Sequence, residues 1–276
     1  MEIVLKKIQL GPLKNINIKI SSCKITAILG SNGSGKSYLA ELLATLRKPN
    51  KGQFFIDNKL IKFNDNTDYN KIRFNIGLVM QNLDNQFFQD TIYDHILFQL
   101  RMYNYKSNKK RIIDSLKMVG LDSSYLNRKI KTLSDGEKFL ASFATILSLN
   151  PSLIILDDPT CFLDEKRQES LIKLLKMMKI KYNKTIIILS SSSDFILEVA
   201  DYVYLFDNKK IISEGNKYEI FFSKKCKKYN IAIPDIIYFQ QKFKEKSGLN
   251  ITYRDNVNDL IKDIYYYIEE KNRGKK

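Results

Sequence analysis

Residues Gly30-Ser31-Asn32-Gly33-Ser34-Gly35-Lys36-Ser37 read GSNGSGKS, a spacing of glycines, lysine and hydroxyl that suits a polyphosphate. Glycines let backbone N–H groups close around phosphate oxygens. Lys36 would reach the terminal phosphates, and the Ser37 hydroxyl would hold Mg²⁺. Further on, Asp157 and Asp158 follow the apolar run Leu153-Ile154-Ile155-Leu156. A carboxylate at the end of a buried strand, downstream of a phosphate loop, suits the shell of that Mg²⁺. The chemistry within reach of these groups is that of a bound nucleoside triphosphate.

Such groups need a frame to hold them. Ile25-Thr26-Ala27-Ile28-Leu29 leads into the loop as a short buried strand, and Leu39, Leu42, Leu43 and Leu46 repeat after it at helical spacing. Strand, loop and helix together aim a helix N-terminus at one spot, where phosphate binds. Upstream, residues 3–5 and 16–20 read as strands separated by a turn at Gly11-Pro12. Residues 53–56, between Gly52 and Asp57-Asn58, read as another strand, and residues 76–80 as a buried one ending at Gln81. From about 83 to 149 helical spacing dominates, as at Ile112, Leu116 and Val119, so this stretch reads as an inserted helical subdomain. Strands resume at 153–156 and 185–189, with an amphipathic helix between them marked by Leu171, Leu174, Leu175 and Met178. That alternation predicts an α/β architecture with a mainly parallel core sheet. The organisation expected is one domain over 1–215 and a lysine-rich, mostly helical extension over 216–276.

With 276 residues the chain can bury a sizeable core. No run approaches the roughly 20 apolar residues of a membrane span, and Met1-Glu2-Ile3-Val4 enters a strand without an export pattern. Cys23, Cys161 and Cys226 are odd in number and widely spaced, which suits a reducing compartment better than a metal site. The formal charge of +16 fits attraction to nucleic acid or to anionic headgroups, and equally a Lys-rich surface bias. No basic cluster is interleaved with aromatics, so no nucleic-acid partner is expected. His95, the one histidine, reads as a core or surface residue.

Between the loop and Asp157 lies Leu133-Ser134-Asp135-Gly136-Glu137, at the start of a predicted helix, and Leu163-Asp164 follows the paired aspartates. Phosphate loop, Gln81, helical insert, LSDGE, LIILDDPT and Leu163-Asp164, in that order, resemble the ATP-binding cassette (ABC) ATPases over residues 1 to about 215. The resemblance implies a P-loop NTPase fold with a mainly parallel sheet, an antiparallel β part and the helical insert. It implies ATP and Mg²⁺ as cofactors, with Gly30, Ser31, Asn32, Gly33, Ser34, Gly35, Lys36, Ser37 and Tyr38 around the nucleotide. Ser37, Gln81 and Asp157 would surround the metal, and Asp158, Gln81 and Ser191 would stand at the catalytic positions. Because such cassettes close head to tail, Ser134, Gly136 and Asp164 would face the nucleotide of a second ATPase. Residues 77–88, GLVMQNLDNQFF, are similar to energy-coupling factor (ECF) transporter ATPases, as are 215–221 and 228–234 of the extension. That narrower likeness implies a peripheral subunit on the cytoplasmic face of the membrane. Its partners would be a second ATPase, a transmembrane coupling subunit and a substrate-specific membrane subunit, for uptake of a vitamin or transition-metal ion.

Several positions depart from the family pattern. Asp158 stands where a glutamate would be the general base, and its shorter side chain withdraws the carboxylate by about 1.5 Å. Ser191, within Ser190-Ser191-Ser192-Ser193, takes the place of the switch histidine. Tyr38 replaces a threonine, Leu10 occupies the nearest position to the missing adenine-stacking aromatic, Asp135 replaces a glycine, and Leu83 a proline. The groups that bind nucleotide are intact, while those that activate water and switch are altered. The expectation is therefore a weak site of its own in a heterodimer with a competent partner. A soluble cassette acting on nucleic acid or ribosomes, and a structural subunit that holds ATP without hydrolysing it, are the alternatives.

Overall fold

The computed structural model describes residues 1–63, 71–105, 108–222, 224–229, 231–248, 254 and 257–273. Alternating apolar and polar residues give β1 (Ile3–Leu10) and β2 (Leu13–Ile20) one buried face each, and the two-residue turn Gly11-Pro12 joins them as a hairpin. β4 (Lys51–Ile56) pairs with β1, and the short β5 (Lys59–Leu60) follows, in an antiparallel sheet of order β2-β1-β4-β5. The uninterrupted apolar runs instead build the centre of the second sheet. β3 (Ile25–Leu29), β7 (Leu153–Asp157) and β8 (Thr185–Ser190) are buried at every position, as strands covered on both faces must be. With β6 (Ile76–Val79), β9 (Tyr202–Asp207) and β10 (Lys210–Asn216) the order is β10-β9-β3-β8-β7-β6, parallel except for β10. The phosphate loop leaves the C-terminal end of β3, and β7 and β8 deliver Asp157 and Ser190 to the same end.

Helix α1 (Lys36–Leu43) follows the loop and buries Leu39, Leu42 and Leu43. In the insert, α2 (Ile92–Met102) is capped by the Thr91 hydroxyl, which accepts from the Asp94 N–H, and α3 (Lys109–Met118) by the Asn108 side chain. α4 (Asp135–Leu149) is buried nearly throughout and ends at Asn150 in the left-handed conformation. One apolar cluster runs from Ile96, Leu100 and Leu116 through Phe139 and Phe143 to Val79, Leu156 and Ile186. The insert therefore shares its core with the parallel sheet. α5 (Glu165–Tyr182) and α6 (Ser193–Val199) complete the cassette.

The extension carries α7 (Lys217–Phe221), α8 (Lys224–Lys228), α9 (Asp235–Ser247) and α10 (Val257–Arg273). Its first part is welded to the sheet: Ile220, Phe221, Cys226, Ile231 and Ile237 pack with Ala27, Leu29, Val203 and Leu205. The boundary expected at Gly215 is thus not a boundary of the core, because the extension covers one face of β3 and β9. Asn230, within the stretch likened to ECF ATPases, lies outside the described residues. Cys23, Cys161 and Cys226 form no disulfide among the described residues, and the buried Cys226 thiol donates to the Ile220 carbonyl at 3.3 Å.

His95 is a core residue. Its Nδ1 accepts from the Phe88 N–H at 3.4 Å and its ring meets the Phe87 ring edge-on at 5.0 Å. Burial lowers its pKa to about 4.

Two tests follow from this packing. Phe221→Ala should lower unfolding free energy by about 3–5 kcal/mol, read by urea denaturation, because the lost ring closes the sheet's covered face. A near-neutral effect would mean that the extension does not support the core. For His95, the folded state resists the proton that the unfolded chain accepts near pH 6.5, so stability falls as pH drops. Between about pH 7 and about pH 5 the loss attributable to this group should be about 2 kcal/mol, and His95→Gln should flatten the profile by that amount.

Candidate functional site

The site is assembled where β3, β7 and β8 end. The Gly30 N–H donates to the Ser190 carbonyl at 3.2 Å, and a Cβ built on Gly30 would stand 2.3 Å from the Phe206 carbonyl oxygen. No side chain fits there, so glycine lets the loop start close against β9. Gly33 and Gly35 adopt φ of 76° and 106°, a region where glycine alone is unstrained. Gly35 occupies the N-cap of α1 and offers no side-chain cap, so the first-turn N–H groups stay available to an anion. Ser31, Asn32 and Gly33 form the exposed lip of the loop, and Ser34 lies beneath it.

Lys36 is buried, and its Nζ donates to the carbonyls of Gly30 at 3.0 Å and Ser31 at 3.2 Å. The same ammonium pairs with Asp158 Oδ2 at 3.4 Å. Asp158 is fixed on three sides. Its N–H donates to the Leu189 carbonyl at 2.8 Å, its Oδ1 accepts from the Ser191 N–H at 3.1 Å, and its backbone takes φ of 48°. The structure therefore brings Lys36, Asp158 and Ser191 together, from three different parts of the sequence.

Asp157 lies beside them. Burial pushes its pKa up to about 6, against a hydrogen bond from the Ser37 hydroxyl, with repulsion from Asp158 adding to the rise. Its Oδ1 is buried without a hydrogen-bond partner among the described residues. An orphaned carboxylate oxygen next to an exposed serine hydroxyl is a donor set suited to a hard divalent cation such as Mg²⁺. Gln81 is exposed at the exit of β6.

Gln86 received no role from the sequence, yet it organises that exit. Its Nε2 donates to the Leu78 carbonyl at 2.8 Å, while its Oε1 accepts from the Met80 N–H at 3.0 Å and from the Ser142 hydroxyl at 2.9 Å. One amide thus extends β6 as a neighbouring strand would and ties it to α4. Two positions before Gln86, Asp84 pairs with Lys138 of α4 at 2.8 Å. Of the two aromatics that follow, Phe87 packs against the core and Phe88 is 64% exposed.

Ser134 and Asp164 are exposed at the starts of α4 and α5, and Gly136 is buried in the first turn of α4. The Ser134 hydroxyl accepts from the Glu137 N–H at 3.2 Å, and Glu137 Oε2 accepts from the Ser134 N–H at 2.9 Å, a reciprocal cap. Glu137 also receives the Tyr125 hydroxyl at 2.7 Å and Arg128 at 3.1 Å, and the Tyr125 bond above all holds its carboxyl below the usual range. A Cβ on Gly136 would lie 2.8 Å from the Phe162 carbonyl oxygen, so glycine permits α4 to touch the turn after Asp158. Asp164 is exposed and caps α5, accepting from the Arg167 N–H at 2.8 Å. Tyr38, on the first turn of α1, lies beneath the Arg47 guanidinium at 4.8 Å from the ring centre. Leu10 is buried in the core.

A glycine loop with a buried lysine at the head of a helix, facing two strand-end aspartates on a parallel sheet, defines a P-loop ATPase. The antiparallel sheet and helical insert make it an ATP-binding cassette. The family described as ABC transporter matches residues 13–161. The energy-coupling factor transporter ATP-binding protein EcfA of Methanocaldococcus jannaschii is 32% identical over 262 residues, covering 94% of this chain and 93% of that one. EcfA1 of Mycoplasma mobile is 38% identical over 210 residues, 75% of each chain. Among solved structures, cbiO1 from Clostridium perfringens, described as part of the ABC transporter complex cbiONQ, is 30% identical with a TM-score of 0.70. It covers 87% of this chain and 98% of its own. The cassette MJ0796, solved as a dimer in a post-hydrolysis state with ADP and phosphate, gives 27% identity and a TM-score of 0.71, covering 78% and 98%. The chain belongs to the ABC transporter family, as an ATP-binding subunit of the energy-coupling factor type.

Lys36→Ala removes the one cation of the loop and should weaken MgATP binding by about 100-fold or more, measured by calorimetry. Near-native affinity in a folded variant would show that nucleotide binds elsewhere.

Proposed function

We propose that this chain energises an ECF-type importer of a vitamin or a transition-metal ion, as the catalytically weaker of two cassettes. The single observation that carries this reading is the coordination of Asp158. Its shortened carboxylate is held by Lys36 and by the Ser191 N–H, where the family pattern has a glutamate and a histidine.

When MgATP is bound, the metal supplies neutralisation of phosphate charge. Ser37 and Asp157 would hold it, with Gln81 completing the shell from the end of β6. Lys36 would turn from the Gly30 and Ser31 carbonyls toward the terminal phosphates, which frees Asp158 from its ion pair. Asp158 could then orient and accept a proton from water, but from about 1.5 Å further back than glutamate. Ser191 would present a short hydroxyl in place of an imidazole. Misplacement on this scale costs on the order of 100-fold in rate.

Ser134, Gly136 and Asp164 would complete the site of a second ATPase in a head-to-tail pair, and pairing as such is supported by MJ0796, a cassette solved as a dimer. A role for the extension in that assembly is supported by α10, where Val257, Ile261, Tyr265 and Ile268 leave an apolar stripe exposed at helical spacing. Beside Gln86 a cleft of about 220 Å³, lined by Met80, Phe88, Gln99 and Tyr103, suits an apolar segment of a transmembrane coupling subunit. Among the described residues no helix is long and apolar enough to cross a membrane. A peripheral position on the cytoplasmic face, beneath coupling and substrate-specific membrane subunits, agrees with the cbiONQ membership stated for cbiO1.

The purified chain alone should bind ATP and hydrolyse it slowly. Asp158→Glu with Ser191→His should raise turnover by about 10- to 100-fold, and each change alone by less, because both act on the same water and phosphate. Steady-state ATPase at saturating MgATP, with and without a hydrolysis-dead partner cassette, measures this. Brisk turnover in the unmodified chain, or no gain in the double variant, would show that these two positions do not limit the site.

A further inference from the structure

A base bound beside a phosphate loop gains most from an aromatic face on which to stack. In this chain no aromatic residue precedes Tyr38. The β1–β2 hairpin borders the loop, since the Leu13 side chain would lie 3.5 Å from a Cβ built on Gly35. That hairpin offers no ring: Leu10 and Leu13 are buried in the core, and Gly11-Pro12 form the turn.

The ring comes from the helix instead. Tyr38 is two residues beyond Lys36, and its Cε1 lies 3.7 Å from a Cβ built on Gly11. It therefore reaches from the first turn of α1 to the tip of the hairpin that borders the loop. The Arg47 guanidinium covers one face at 4.8 Å, and Arg47 is itself ion-paired with Glu41. Tyr38 remains 40% exposed, so part of the ring is open to a ligand. Gly11 takes φ of 51° at the hairpin tip, and a Cβ there would meet the ring only at ordinary contact distance. We propose that Tyr38 is the platform on which the base of the bound nucleotide stacks, with Arg47 backing the ring. The proposal rests on the reading of residues 30–37 as the phosphate site.

The full-length chain can be tested with two probes, MgADP and inorganic tripolyphosphate, which carries phosphates and no base. Tyr38→Thr should weaken MgADP binding about tenfold, toward the lower end of what aromatic stacking of a base contributes, and leave tripolyphosphate within about twofold. Tyr38→Phe should keep MgADP affinity. Because the chain contains no tryptophan, Tyr38→Trp places a single reporter at the site. Its fluorescence should be quenched by MgADP and not by tripolyphosphate. The proposal is overturned if Tyr38→Thr binds MgADP as tightly as the native chain, or if it loses both probes equally. Should the native chain bind neither probe, the phosphate-loop reading fails first and the platform with it.

Discussion

A buried ammonium organises this molecule. Lys36 Nζ sits inside the phosphate loop, held by two backbone carbonyls and by Asp158. An unpaired charge at that depth would cost several kcal/mol, so the loop must curl and β7 must deliver a carboxylate to the same point. Asp158 can answer only because its own backbone is pinned to Leu189 and its second oxygen to Ser191. The ends of β3, β7 and β8 are thereby locked in register around one charge pair. Incoming phosphate would offer Lys36 a stronger partner, so the contact that stabilises the resting loop is also one that binding must exchange.

From that centre, contact passes outward through the turn after Asp158. Its Phe162 carbonyl meets Gly136, and Gly136 stands in the first turn of α4. α4 in turn carries Ser142, the anchor of Gln86, and Lys138, the partner of Asp84. One buried helix therefore touches the segment behind the phosphate site, the LSDGE cap and the loop after β6. Its burial along almost the whole length makes it a stiff link, since a packed core shifts as a unit more readily than it deforms. A nucleotide-dependent movement near Asp158 has a short physical path to the cleft beside Phe88.

The surfaces left open fit that picture. Phe88 and the α10 stripe are apolar and exposed, while the caps around Ser134 and Asp164 spend their local hydrogen bonds on their own helices. The helix starts are therefore rigid before any partner arrives. The extension is tied to the sheet through Phe221 and Ile237, and α10 is joined to it by the Arg254–Asp263 ion pair.

By itself the sequence determined the nucleotide loop, the strand–helix alternation and the paired aspartates, because each is encoded by a few neighbouring residues whose chemistry has one strong local solution. Short β-branched runs such as TIIILS favour buried strands, and GSNGSGKS needs its glycines whatever surrounds it. The tertiary structure alone decided what joins distant segments. Gln86 became a surrogate strand only when folding placed α4 beside β6, and Gly136 became a point of close approach only against Phe162. Gly215 looked like an end in the sequence, yet Phe221 packs on a sheet face shared by neighbouring β9 and by β3, some 200 residues earlier. Tyr38 looked like a misplaced threonine until the hairpin tip was brought to its ring. Local chemistry is written in spacing, but which side chain meets which partner depends on packing over long separations, and no short stretch of chain carries that information.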